Sequence, residues 1–263
     1  MPTPLITLTT DYGLTDPYVG ILKSRIVQRA PAIPLIDLSH AIRPFHPEDA
    51  GYWLFCCHSQ FPAGTVHVAV VDPGVGSERR ILVMRAGGQL FVAPDNGLLG
   101  LIAQSVAGAV SFHVDAAALH SLGLSAESAT FHGRDLFGPL GAELAMGRAI
   151  PEQLGRSHAP ILGNLHPPSV LPDGSLLGAI ARVDHFGNLL TTVAARDMGA
   201  RQSVRLAPGA APLPRVRTYA QAPAGQCVAL INSAAMLEIA ARQASAADAL
   251  SATVGQAVYV SER

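Results

Sequence analysis

Residues 4–26, PLITLTTDYGLTDPYVGILKSRI, predict a strand, a polar loop and a helix in that order. Residues 4–10 are rich in β-branched side chains and end at Asp11, as a strand does. Asp16 and Pro17 are typical of the cap and first turn of a helix. The buried face of that helix would consist of Val19, Leu22 and Ile26. Strand-loop-helix units of this kind build layered α/β domains.

The same alternation continues through the N-terminal half. A second apolar run, 66–71, ends at Asp72 and the turn PGVG, and residues 81–85 and 89–93 predict a hairpin around Gly87-Gly88. Residues 47–58 predict a helix, and a further helix is expected after Gly133 from the spacing of Leu136, Leu140 and Leu144. We therefore expect an α/β domain with a largely parallel layered sheet, whose ligands bind at the carboxyl ends of the strands.

The C-terminal part has a different pattern. Residues 157–174, SHAPILGNLHPPSVLPDG, contain four prolines and little periodicity. They predict an α/β domain over 1–160, a Pro-rich linker over 161–172 and a second domain over 173–263. Short strand-like segments follow at 176–183, 189–193, 203–206, 215–220, 227–231 and 256–260, with an alanine-rich helix expected near 236–248. This pattern predicts a small all-β, barrel-like domain.

Composition narrows the class of partner. The chain has 263 residues, 49% of them hydrophobic and 14% charged, with a formal net charge of −1. Such a chain has ample material for a core and no basic field for nucleic acid or anionic lipid. It begins without the pattern of a secretory signal and has no apolar run long enough for a membrane helix, so we expect a cytoplasmic protein that binds a small molecule.

Several loops concentrate Asp, Asn, Gly and Arg where strands end. They are TDYGLTDPY (10–18), VDPGVGSERR (71–80), APDNG (93–97), TFHGRD (130–135), DHFGNLLT (184–191) and INSAAMLEIA (231–240). Each has an ordinary structural explanation when taken alone: Asp16 as a helix cap, Asp184 in a hairpin turn, His132 as a satisfied partly buried histidine. The histidines and three cysteines lack metal-ligand spacing, so no metal is assigned.

Taken together and in this order, the segments resemble the S-adenosylmethionine hydrolase family, also called hydroxide adenosyltransferases, which is related to the fluorinases and chlorinases. The resemblance covers essentially the whole chain. It implies an N-terminal α/β domain and a C-terminal β-barrel. It also implies a homotrimer, with the substrate between the first domain of one subunit and the second domain of its neighbour.

The resemblance also assigns residues. Asp11 matches an aspartate that holds the ribose hydroxyls, and Asp16 matches a second acidic position in that loop. A carboxylate suits a ribose diol because it accepts two hydrogen bonds at once. The remaining substrate-binding positions implied are Phe45 for an aromatic contact, Asp184 and Asn188 for the methionine amino and carboxylate groups, Phe186 beside the ligand, and Asn232, Ser233 and Glu238 in the segment that lines the adenine pocket.

The hydrolase-type members use an aspartate, an arginine and a histidine beside the reacting carbon, and the matching residues are Asp72, Arg79 and His132. The substrate, S-adenosyl-L-methionine, needs no cofactor because its sulfonium already makes methionine a neutral leaving group. A water molecule must be activated instead. Adenosine and L-methionine would be the products, and the residues leave open which of the three takes the proton.

Three alternatives follow from the same residues. A halogenase of the same family would attack with halide, but a carboxylate about 4 Å from a halide would repel it by roughly 4 kcal/mol at an effective dielectric near 20. A protein that only binds the nucleoside would not need Asp72, Arg79 and His132 together. A methyltransferase is disfavoured because no GxGxxG-type loop follows the first strand.

Overall fold

The computed structural model describes residues 4–262 and divides into two compact units, Met1–Asn164 and Leu165–Arg263. Residues before the division pack on the first unit: the Ser111 hydroxyl donates to the His158 carbonyl, and Ile161 N–H donates to Asp95. Residues soon after it join the second unit, because the short strand Ser169–Val170 pairs with Leu176–Val183. Within the described residues, no helix is long and apolar enough to cross a membrane.

A six-stranded sheet forms the centre of the first unit. Its strands are β1 (Ile6–Thr10), β2 (Leu35–Ser39), β3 (Val66–Val70), β4 (Ile81–Ala86), β5 (Gln89–Pro94) and β6 (Val110–His113). Their order is β2-β1-β3-β5-β4-β6, with β2, β1, β3 and β5 parallel and β4 antiparallel to both of its neighbours. The largely parallel sheet and the β4–β5 hairpin are thus confirmed. Since β1 and β3 are parallel neighbours, the residues that follow them lie at one edge of the sheet.

Helices cover this sheet. They are α1 (Tyr18–Arg29), α2 (Pro47–Cys57), α3 (Gly100–Ser105), α4 (Ala116–Ser121), α5 (Gly138–Ala145) and α6 (Pro151–Leu154). The predicted face of α1 is confirmed, since Val19, Leu22 and Ile26 are buried, two of them in one cluster with strand residues of β1 and β3. The predicted cap at Asp16 is wrong. Pro17 occupies the N-cap position in a helical conformation, and no side chain caps the helix.

The second unit is an antiparallel sheet that curls into a barrel. Its strands are β7 (Ser169–Val170), β8 (Leu176–Val183), β9 (Leu189–Ala194), β10 (Ser203–Arg205), β11 (Cys227–Ile231), β12 (Met236–Ala241) and β13 (Ala257–Ser261). Six of them lie in the order β10-β13-β8-β9-β12-β11, and β7 pairs with β8. Two single bridges, Leu213 with Val204 and Arg215 with Ala229, connect the outer strands β10 and β11 through residues 213–215. The helices are α7 (Ala195–Met198) and α8 (Ala246–Leu250).

Two expected elements of this unit are wrong. The alanine-rich helix near 236–248 is strand β12 for its first part, and only Ala246–Leu250 is helical. All six residues of β12 are buried between β9 and β11, so sheet pairing outweighs the helix preference of alanine. The strand at 215–220 is replaced by a 3₁₀ turn, Tyr219–Gln221, because the Gln221 side chain accepts from the backbone N–H groups of Arg217 and Thr218.

Candidate active site

Asp72 and Arg79 form a buried ion pair at the carboxyl end of β3. The Arg79 Nε donates to both carboxylate oxygens of Asp72, at 3.0 and 2.9 Å, and Nη2 donates to Oδ2 at 2.5 Å. The two side chains are only 6% and 10% exposed. The guanidinium also lies 5.1 Å from the centre of the Phe137 ring. Packing and paired donors therefore fix the orientation of the Asp72 carboxylate.

His132 joins this pair through Arg79. The Arg79 Nη2 lies 2.8 Å from His132 Nδ1. A guanidinium only donates hydrogen bonds, so Nδ1 accepts and the neutral imidazole carries its proton on Nε2. Burial, helped by the charge of Arg79, lowers the pKa of His132 below its usual value, while Asp72 opposes this shift. The structure thus brings all three predicted residues together, with His132 in its neutral form.

Neighbouring groups hold this cluster in place. Asn96, in the flagged segment 93–97, donates from Nδ2 to the carbonyl of Val71, the residue before Asp72, at 2.9 Å. Asp135 accepts from Ser128 N–H at 2.9 Å and from Arg134, which closes the loop that carries His132. Asn96 is a positioning residue that the sequence reasoning left without a role. Its position after a strand, in a loop rich in Asp, Asn and Gly, is the sequence feature that could have indicated such a role.

Asp11 lies after β1, at the same edge of the sheet as Asp72. Its Oδ2 accepts from the backbone N–H of Phe45 at 3.1 Å. Burial raises the pKa of Asp11 above its usual value, and the hydrogen bond from Phe45 opposes that rise. Asp16 is exposed, further along the same loop.

Phe45 combines a strained backbone with an exposed ring. Its φ of +67° is in the left-handed region, which costs a non-glycine residue roughly 1–2 kcal/mol. This conformation accompanies the hydrogen bond from its N–H to Asp11. The ring is 72% exposed, although apolar rings are usually buried. Backbone strain and an exposed aromatic ring together are typical of a ligand-binding position.

In the second unit, Asp184 organises the turn between β8 and β9. Its Oδ1 accepts from the N–H groups of Phe186 and Asn188, at 2.8 and 2.9 Å, and its Oδ2 accepts from Asn188 Nδ2 at 2.9 Å. Gly187 has a φ of +81°, and a Cβ there would also overlap Ser245. These contacts define the turn, in which Phe186 is 74% exposed.

Asn232 and Glu238 form a second polar group in this unit. Asn232 Oδ1 accepts from the N–H groups of Ala234 and Met236, while its Nδ2 donates to Glu238 Oε2 at 3.1 Å. The other oxygen of Glu238 accepts from the Tyr219 hydroxyl at 2.6 Å. Glu238 is 3% exposed on β12, whereas Ser233 is exposed at the tip of the turn. The carboxylate of Glu238 thus holds Asn232 and Tyr219, and its direct contact with a substrate stays a prediction.

Comparison with known proteins decides the family. Residues 6–155 match the model of the SAM hydroxide adenosyltransferase N-terminal domain, and residues 178–259 match that of the C-terminal domain. The chain belongs to the SAM hydroxide adenosyltransferase family. Within residues 4–262, no group of His, Cys, Asp and Glu side chains is arranged to hold a metal ion.

Three relatives match the chain over nearly their whole lengths. The (R)-S-adenosyl-L-methionine hydrolase of Salinispora arenicola is 37% identical and covers 98% of both chains, and that of Thermus thermophilus is 38% identical over 95% of this chain and 96% of its own. A fluorinase of an Actinoplanes species is 27% identical, with 98% of both chains covered. The solved structure of a conserved protein from Thermotoga maritima superposes with a TM-score of 0.85 at 30% identity, covering 98% of this chain and 100% of that one.

Proposed function

We propose that this enzyme hydrolyses S-adenosyl-L-methionine to adenosine and L-methionine by attack of an activated water at C5′ of the ribose. The observation that carries the proposal is the buried carboxylate of Asp72, held by Arg79 beside His132. Full-length relatives named (R)-S-adenosyl-L-methionine hydrolase support the same reaction. S-adenosyl-L-methionine is the substrate, and no cofactor takes part in the step.

The reaction needs one bond to form and one to break. The water oxygen forms a bond to C5′, the C5′–S bond breaks, and its electron pair stays on sulfur as the neutral thioether of methionine. One water proton leaves to a base. In-line attack requires the water on the side of C5′ opposite sulfur, about 3–3.5 Å from the carbon. Because sulfur leaves uncharged, protein groups are needed at the nucleophile more than at the leaving group.

Asp72 is the base in this proposal. His132 Nδ1 is occupied by the hydrogen bond from Arg79, and its Nε2 carries the proton in the neutral ring, so neither nitrogen is free to accept. Arg79 donates twice to Oδ2 of Asp72 but only once to Oδ1, so Oδ1 keeps a lone pair for the water proton. His132 would then hold Arg79 through Nδ1, and Arg79 would keep the carboxylate oriented.

The remaining predicted residues have substrate-binding roles. Asp11 would accept hydrogen bonds from the ribose hydroxyls, with Asp16 in the same loop and the exposed ring of Phe45 against the ligand. In the second unit, Asp184 and Asn188 would contact the methionine end, and Phe186 would pack beside it. Adenine contacts are assigned to Asn232, Ser233 and Glu238. The hydrogen bonds within the turns at Asp184 and Asn232 support these roles, since a rigid loop loses little freedom on binding.

A carboxylate at position 72 also supports water over halide as the nucleophile. At about 4 Å, an unpaired carboxylate would disfavour a halide by roughly 4 kcal/mol, and the pairing of Asp72 with Arg79 reduces this repulsion. Water carries no charge, and it gains from a neighbouring base.

Product analysis tests the proposal. The purified enzyme is incubated with S-adenosyl-L-methionine in halide-free buffer and then with chloride or fluoride. The products are separated by chromatography and identified by mass spectrometry. The two epimers at sulfur are supplied separately, because the relatives are named for the (R) form. Adenosine and methionine in every buffer are expected, with faster turnover of the (R) epimer. A halogenated adenosine would assign the enzyme to halide transfer instead, and unchanged bound substrate would make it a binding protein.

We further infer a homotrimer in which neighbouring subunits contribute the two sets of residues to one site. The family resemblance carries this inference, and the exposed rings of Phe45 and Phe186 fit surfaces that become covered. The test is to unfold the inactive Asp72→Asn and Asp184→Ala variants, mix them and refold them together, so that mixed trimers form. If each site draws on two subunits, some mixed sites regain both residues and activity returns. If sites lie within one subunit, the mixture stays inactive.

A further inference from the structure

Tyr12 directly follows Asp11, and neither the residue assignments above nor the proposed mechanism gives it a role. Its ring meets two other aromatic rings edge-on: Tyr18 at 6.3 Å and Phe131 at 5.6 Å between ring centres. Its backbone N–H donates to Thr10 Oγ1 at 3.2 Å. Because Phe131 directly precedes His132, these contacts fix the phenol ring against the loop that carries the histidine.

The Tyr12 hydroxyl lies against the backbone of Gly133, the residue after His132. A Cβ at position 133 would overlap the hydroxyl oxygen, and the ring carbon Cζ would be 3.2 Å from it. Gly133 begins a π-helical turn, Gly133–Phe137, without a positive φ, so the backbone conformation does not require glycine. The need for glycine at this position comes from the Tyr12 oxygen.

Burial and the neighbouring carboxylates keep this phenol protonated. Burial raises the pKa of Tyr12 most, followed by the carboxylates of Asp11 and Asp72, while Arg79 lowers it by less. Geometry places the hydroxyl beside the same cluster, because it lies against Gly133, next to His132, and Arg79 joins His132 to Asp72. Among residues 4–262, no side chain or backbone group forms a hydrogen bond with that hydroxyl. A neutral donor beside Asp72 thus has its hydrogen-bonding capacity available for a bound molecule.

We propose that the Tyr12 hydroxyl donates a hydrogen bond to the attacking water and holds it between Asp72 and C5′. This inference rests on the proposed hydrolysis. The water uses one lone pair to accept from Tyr12 and the other to attack, while one of its protons passes to Asp72. As negative charge develops on the water oxygen, the bond from Tyr12 strengthens, so its effect falls on the chemical step. Gly133 leaves the space that this arrangement requires.

Tyr12→Phe is the direct test, with Tyr18→Phe as the matched control. Both variants lose only a hydroxyl from the same aromatic group, but Tyr18 is half-exposed on α1. We expect Tyr12→Phe to lower kcat by about ten- to a hundredfold, the range for a hydrogen bond to a charged group, with KM nearly unchanged. Tyr18→Phe should keep both parameters. Wild-type kcat in Tyr12→Phe would overturn the proposal.

A double-mutant cycle with Gly133→Ala gives a second test. In the wild-type background the new methyl displaces the Tyr12 hydroxyl, so kcat should fall. In Tyr12→Phe the oxygen is gone, so the same change should lower kcat by less, with only the 3.2 Å contact to the ring carbon Cζ remaining. Equal losses in both backgrounds would contradict coupling through the hydroxyl. Thermal unfolding of each variant separates misfolding from lost chemistry. If the wild type itself releases no adenosine, the proposed hydrolysis fails, whatever the variants do.

Discussion

Replacing Asp72 by Asn removes one charge of the buried pair while keeping the side chain's shape. Asn offers an NH₂ group where Arg79 needs an acceptor, so one of the two guanidinium nitrogens faces a donor. Removing one partner of a buried pair costs about 3–5 kcal/mol of unfolding free energy. At about 2–4 °C per kcal/mol for a protein of this size, we expect Tm to fall by roughly 6–20 °C. Loss of the base should lower kcat by about 10²–10⁴.

Glu152→Gln is the matched control. Its pair with Arg85 has the same 2.5 Å separation as the Arg79–Asp72 pair, but these side chains are 43% and 50% exposed. Exposed ion pairs contribute little, so stability and kcat should stay close to those of the wild type. The lone tryptophan, Trp53 on α2, reports on the first unit by fluorescence during urea or thermal unfolding, at a fixed protein concentration. Equal loss of stability in the two variants would refute the argument that burial decides the strength of these pairs.

Three further results are expected. Because the pKa of His132 is lowered, kcat/KM should stay constant as the pH falls to below 6.5. A fall in kcat/KM that begins at or above pH 7, and that is absent from His132→Gln, would contradict the neutral state of His132. Burial lowers the pKa of His67 to about 4, so the stability that its neutral form contributes is complete above about pH 6.5 and is lost as the pH falls towards 4. In urea titrations, the unfolding free energy of His67→Asn should therefore fall less steeply with decreasing pH than that of the wild type. An equally steep fall would contradict this expectation. Glu238→Gln should raise KM several-fold with little change in kcat, because Asn232 and Tyr219 lose a charged acceptor. A variant with lower kcat and unchanged KM would exclude a substrate-binding role for Glu238.

The sequence predicted best where a local pattern and the tertiary environment agree. The apolar face of α1 and the β4–β5 hairpin follow from periodicity and a Gly-Gly turn, and both are present. Residues 236–241 show the opposite case. Their helix preference is local, whereas pairing with two strands distant in the sequence decides their structure, and periodicity cannot show such pairing.

The candidate site follows the same division. The position of Asp11 and Asp72 after two strands placed both carboxylates at one edge of the sheet, and that reasoning needed only the parallel order of the strands. The hydrogen bond from Arg79 to His132 and the approach of Tyr12 to Gly133 join residues more than 50 positions apart in the chain. No spacing rule reports such contacts, so the tautomer of His132 and the role of Tyr12 emerge only in three dimensions.

The short bridge through residues 213–215 has a consequence for how the second unit behaves in concentrated solution. An open antiparallel sheet offers its outer strands as templates on which other chains add strands and aggregate. Here Leu213 pairs with Val204 on β10 and Arg215 pairs with Ala229 on β11, so each covers part of the outer edge of one strand. The loop around them is exposed and rich in proline, so a protease that cut it would uncover the outer edges of both strands. A nicked protein would then be expected to form β-rich aggregates while its first unit stayed folded.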